Sequence, residues 1–177
     1  MTNHVHLLLT PDDPDGPSSL MKHLGQRYVQ AFNRRHKRTG TLWEGRFKSS
    51  IVDSEAYLLR CQRYIEENPL RAGMVKHPGQ YPWSSYRSNG EGFPSTLITP
   101  HPLFVALAST ISERQAIYRR LFQCENFPED LQFIRAATNS SLPLGRNEFI
   151  DSLGRRLKRR VALQPKGRKR GQTSNSA

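Results

Sequence analysis

The sequence predicts an α+β protein, and three observations carry that prediction. Residues 4 to 9, His4-Val5-His6-Leu7-Leu8-Leu9, read as a short buried strand. Residues 42 to 52 alternate again, with Phe47, Ser49 and Ile51 on one side and Arg46, Lys48 and Ser50 on the other. Around and after these segments, apolar residues recur at helical spacing.

The elements follow in order. In a strand over residues 4 to 9, His4 and His6 project to one face while Val5, Leu7 and Leu9 bury the other. Thr10 to Pro17 is a loop rich in Pro, Asp and Gly. Ser18 or Ser19 can cap a helix carrying Leu20, Leu24, Tyr28, Ala31 and Phe32 on one stripe and running to about His36. Thr39-Gly40-Thr41 is a turn before the second strand. Asp53-Ser54-Glu55 caps a second helix with Leu58, Cys61, Gln62 and Ile65 on one stripe and Tyr57, Tyr64 and Asn68 on the next. Pro69 disfavours the α conformation at Asn68 and marks the helix end. Residues 78 to 86 form an aromatic loop. Beyond residue 100, helical patterns at 102 to 110, 112 to 122, 128 to 137 and 148 to 157 make a small appendage, followed by a disordered basic tail. The predicted division is therefore 1 to 99, 100 to 157 and 158 to 177.

The net charge of +12 on 177 residues is unevenly placed. Nine Lys/Arg and no Asp or Glu follow residue 154, leaving the preceding body at only +3. A basic tail on a nearly balanced body suggests a polyanion partner, because neutralised phosphates release condensed counterions. Arg34, Arg35, Lys37 and Arg38 form a second basic patch, near Arg46 and Lys48. No apolar run approaches the ~20 residues of a membrane span, and the start lacks a signal-peptide pattern. A cytoplasmic, nucleoid-associated protein without a membrane partner is expected. Two cysteines, Cys61 and Cys124, form neither a disulfide framework nor a zinc pattern.

Two imidazoles on one face of a strand can chelate one metal ion, although a His-x-His pair also serves structural roles. A helical tyrosine such as Tyr64 usually belongs to a core or interface. The surrounding blocks change that reading. Asn3 to Leu8, Gly40 to Phe47, Tyr64-Ile65-Glu66-Glu67-Asn68-Pro69 with the run on to Val75, and Tyr81 to Tyr86 resemble, in order, the REP-associated tyrosine transposases, relatives of the IS200-like transposases. The resemblance covers about residues 3 to 87.

What it implies is a single-tyrosine HUH domain of ferredoxin-like form, an antiparallel sheet with helices packed on it. His4 and His6 would be the metal-binding histidines, Asn68 a third metal contact and Tyr64 the nucleophile, with Tyr57 the lesser candidate. The implied partner is single-stranded DNA beside short hairpins, bound by a monomer or homodimer. The implied cofactor is a divalent metal, Mg²⁺ or Mn²⁺; imidazole ligation favours Mn²⁺. Arg34, Arg35, Lys37, Arg38, Arg46 and Lys48 suit phosphate contacts, Trp43 suits base stacking, and Arg155, Arg156, Arg159 and Arg160 suit the duplex stem. Family members carry several tens of residues before the histidine strand, whereas here Met1 stands three positions before His4. The expected domain is thus N-terminally incomplete, its strand lacking a neighbour, and unstable or inactive alone. Two other readings remain open: a non-catalytic DNA- or RNA-hairpin-binding remnant, and a metal hydrolase with water as nucleophile.

Overall fold

Helix α1 spans Gly16–His36 and opens with Pro17 in its first turn, where a fixed φ and a missing N–H cost nothing. Ser18 and Ser19 accordingly lie inside the helix, and Ser19 donates its backbone N–H to Asp15. Lys37 closes α1 in the left-handed conformation, and the Arg38 N–H returns to the Asn33 carbonyl at 2.9 Å. These coordinates come from a computed structural model that describes residues 1, 3–123, 128–158 and 161.

The chain continues through α2 (Ser54–Glu66), α3 (Asn68–Arg71), a 3₁₀ turn (Pro78–Gln80), α4 (Tyr86–Glu91), α5 (Pro102–Val105), α6 (Ile111–Leu121), α7 (Pro128–Ser140) and α8 (Asn147–Leu157). Side chains set several of these boundaries. His77 accepts the Gly79 N–H at 3.1 Å, and Gln80 reaches back to the His77 N–H at 3.1 Å, closing a capping box. His101 caps α5 through the Leu103 N–H at 3.1 Å, and Thr110 caps α6 through that of Glu113 at 3.3 Å.

The predicted α+β sheet is not present. Helix accounts for 56% of the described residues and strand for 1%, and these residues form no sheet. Residues 3–10 make no backbone hydrogen bond among the described residues. Of residues 42–52, Val52 alone is bridged, in parallel, to Leu144: Leu144 donates to the Ile51 carbonyl at 2.8 Å, and Asp53 donates to that of Leu144 at 2.7 Å. Alternation records which side chains share a face, but a strand persists only when a neighbour satisfies its backbone groups. The one bridge needs close approach. A Cβ at Gly145 would lie 2.7 Å from that of Asp53 and 2.5 Å from the Phe149 ring.

Two apolar clusters build the core, and α2 contributes to both. Cys61 and Tyr64 pack with Ile134, Ala137 and Leu144, flanked by Val52, Tyr57, Ile65 and Leu131. Tyr86, Phe104 and Tyr118 form the second cluster, against Leu59, Leu107, Leu121 and Phe122. Glu66, 1% exposed, ties α2 to this second cluster. Its carboxylate accepts Ser85 Oγ at 2.5 Å, Asn89 Nδ2 at 3.1 Å and Tyr118 Oη at 2.7 Å. Desolvation raises the Glu66 pKa, and hydrogen bonds from Ser85, Tyr118, Asn89 and Gln62 oppose it. By contrast, α1 buries none of its residues; its predicted apolar stripe, including Leu20, Leu24 and Tyr28, is exposed.

Candidate active site

Tyr64 lies in the last turn of α2, 8% exposed, and its ring joins the first apolar cluster. The His6 ring meets it edge-on, with centroids 6.0 Å apart and planes at 76°. The His4 ring stands 5.0 Å from His6, nearly perpendicular to it. Residues 4, 6 and 64, separated by most of α1 and α2 in sequence, are thus neighbours although no strand carries the histidines.

The donor chemistry suits a divalent ion. His4 Nδ1 is 2.7 Å from Asn3 Oδ1. A ring nitrogen that donates to an amide oxygen fixes the tautomer and leaves Nε2 with its lone pair. Burial, then His4, the N-terminal amine and Arg71, lower the His6 pKa, which favours the neutral ligating form. Asn68 opens α3, half-buried, and its Nδ2 has no hydrogen-bond partner among the described residues. That N–H donor is open to an acceptor such as a phosphate oxygen, whereas a metal contact would use Oδ1 instead. The described residues contain no cluster of three His, Cys, Asp or Glu suited to a metal.

Arg71 and Glu67, which sequence reasoning left without a role, frame the tyrosine. The break after α2 falls at Glu67, and Asn68 and Pro69 are helical within α3 rather than ending the helix as predicted, so Arg71 lies about two helical turns beyond Tyr64 and leans back over it. Its guanidinium carbon is 4.6 Å from the Tyr64 ring centroid. Nη2 donates to the Tyr64 carbonyl and Nη1 to Glu67 Oε2, the latter at 2.8 Å. Glu67 is 5% exposed and also receives Arg63 Nε at 2.8 Å. The seven-residue interval was the available signal. Tyr57 flanks the same apolar cluster, against Phe133 with Arg60 over its ring.

The predicted nucleic-acid contacts fall into separate groups. Arg34, Arg35, Lys37 and Arg38 are exposed at the C-terminal end of α1. Arg38 lies over Phe32, which stacks on His36 with centroids 4.2 Å apart. Trp43 packs on Tyr28 at 5.8 Å and beside Gly25, and Arg46 and Lys48 are exposed in the irregular segment that follows. Arg155 and Arg156 are exposed in the last turn of α8, while Arg159 and Arg160 lie outside the described residues.

Residues 1–68 match the family model described as Transposase IS200 like, a span that contains His4, His6, Tyr64 and Asn68. The match makes this segment, under half of the 177 residues, similar to that transposase family. No curated protein and no solved structure matches the chain. Among the described residues no helix is long and apolar enough to cross a membrane.

Proposed function

We propose that this chain is a REP-associated tyrosine transposase that cleaves and rejoins single-stranded DNA beside hairpins. The observation that carries the reading is the meeting of the His6 and Tyr64 rings, with His4 next in line. His4, His6 and Asn68 would hold Mg²⁺ or Mn²⁺, which when bound polarises a phosphate oxygen. The Tyr64 phenol oxygen attacks phosphorus, forming a 5′-phosphotyrosine as the bond to the 3′ oxygen breaks. The phenol gives up its proton and the departing 3′ oxygen takes one. One phosphate ester replaces another, so rejoining needs no ATP. A free phenol, with pKa near ~10, is a poor nucleophile at neutral pH and requires such a setting. The exposed bases Arg34, Arg35, Lys37, Arg38, Arg46 and Lys48 suit the phosphate backbone, and Trp43 an unpaired base.

A hairpin-flanked oligonucleotide with Mn²⁺ should give a covalent adduct on a denaturing gel. Tyr64→Phe is expected to abolish it and Tyr57→Phe to retain it. An adduct that survives Tyr64→Phe removes the proposed nucleophile; cleavage without an adduct points to water instead. The deep burial of Tyr64 favours a second reading, a hairpin-binding remnant without catalysis. Salt-dependent binding by a wild-type chain that forms no adduct would establish that alternative.

A further inference from the structure

We propose that Arg71 is a positioning residue for the tyrosine: its guanidinium clamps the Tyr64 ring in the orientation that transesterification requires. The inference rests on the proposed role of Tyr64 as nucleophile.

The torsion that turns a tyrosine ring is broad and roughly two-fold, so a helix fixes where the ring begins but not where its plane lies. Displacements of about 1 Å at a reacting group can cost roughly 10²-fold in rate. Arg71 supplies restraint that the helix lacks. Three directions of one planar group are used at once: Nη2 on the Tyr64 carbonyl, Nη1 on Glu67, and the guanidinium face 4.6 Å from the ring centroid. A planar fork can hold such a geometry and a point-charge ammonium cannot. Glu67 is itself fixed, buried and held by Arg63 from one turn earlier. His6 bounds the same ring at 6.0 Å.

The remaining donor of the guanidinium sharpens the case. Nε is buried and meets no hydrogen-bond partner among the described residues. An arginine that served only to pair with Glu67 could leave this N–H in water. Here the side chain forgoes that bond and lies along the tyrosine.

Arg71→Lys keeps the charge and reach but removes the fork. Its test combines single-turnover adduct formation, oligonucleotide affinity and the NMR signals of the Tyr64 ring in the full chain, assigned by their loss in Tyr64→Phe. The expected result is a fall in rate of about 10²-fold, unchanged affinity, and displaced ring signals. Unchanged rate, or unchanged ring signals with a lost rate, overturns the proposal. In the wild-type chain, nuclear Overhauser contacts between the Arg71 side chain and the Tyr64 ring are expected. Their absence overturns the clamp without any variant, which covers the case of Arg71→Lys failing to fold. Should the wild type form no adduct, the transposase reading fails and the proposed role for Arg71 fails with it; the ring contacts then stand as packing alone.

Discussion

Glu66 sits two positions after Tyr64, yet its side chain has a different task. A carboxylate with 1% exposure is sustained by donors from Ser85, Asn89 and Tyr118, and the last of these is itself fully buried. Tyr118→Phe preserves the packed ring and deletes one hydrogen bond to a charged acceptor. It should lower unfolding stability by about 1.5–3 kcal/mol, measured by urea titration. A change near zero would show that the carboxylate does not depend on that hydroxyl. Little of this was legible in the sequence. Glu66 reads there as one of two adjacent acids at the end of an amphipathic helix, and nothing local tells which is buried. Tyr64 and His6 were legible as types and spacing, whereas their contact was not, because it depends on how residues 3–10 return to α2.

Helices and strands differed in what pattern alone could establish. The 3.6-residue period located α1, α2, α6, α7 and α8 closely, since helical hydrogen bonds join residues four apart and the sequence contains both partners. The same logic fails for residues 4–9 and 42–52, whose partners would have to come from elsewhere in the chain. Asp53 shows a related shift. It stands at the N-cap of α2 as the sequence predicts, but its carboxylate is drawn to Arg146, with Nε 3.0 Å away. Hydrogen bonds from that guanidinium hold its pKa below the ordinary carboxylate range. The folded state therefore releases this proton more readily than the unfolded state. The pair's contribution is full above the ordinary carboxylate range and is lost as pH falls through the depressed folded value. Arg146→Gln should flatten this part of the acid limb in a plot of unfolding stability against pH. An unchanged acid limb would show that Arg146 does not control the Asp53 proton.

Across the whole molecule, both apolar clusters draw residues from either side of residue 100. Cys61 and Tyr64 need Ile134, Ala137 and Leu144, and Tyr86 needs Phe104 and Tyr118. We propose on this basis that the helices after residue 100 are structural partners of α2 rather than an appendage. A chain ending at residue 99 would expose both clusters and leave Glu66 without Tyr118. It is expected to lose cooperative urea unfolding and the near-ultraviolet circular dichroism of its packed tyrosines, and retention of both would restore the division at residue 99. The sequence by itself determined the chemistry on offer: two histidines one residue apart, a tyrosine four residues before an asparagine, basic groups in two patches, and helices whose bonds are local. Tertiary structure alone decided that no sheet forms among the described residues, that Arg71 lies over Tyr64, and that Glu66 meets a tyrosine 52 residues away. The physical reason is range: a helix closes its hydrogen bonds within one turn, whereas sheets and buried polar networks exist only where distant segments meet.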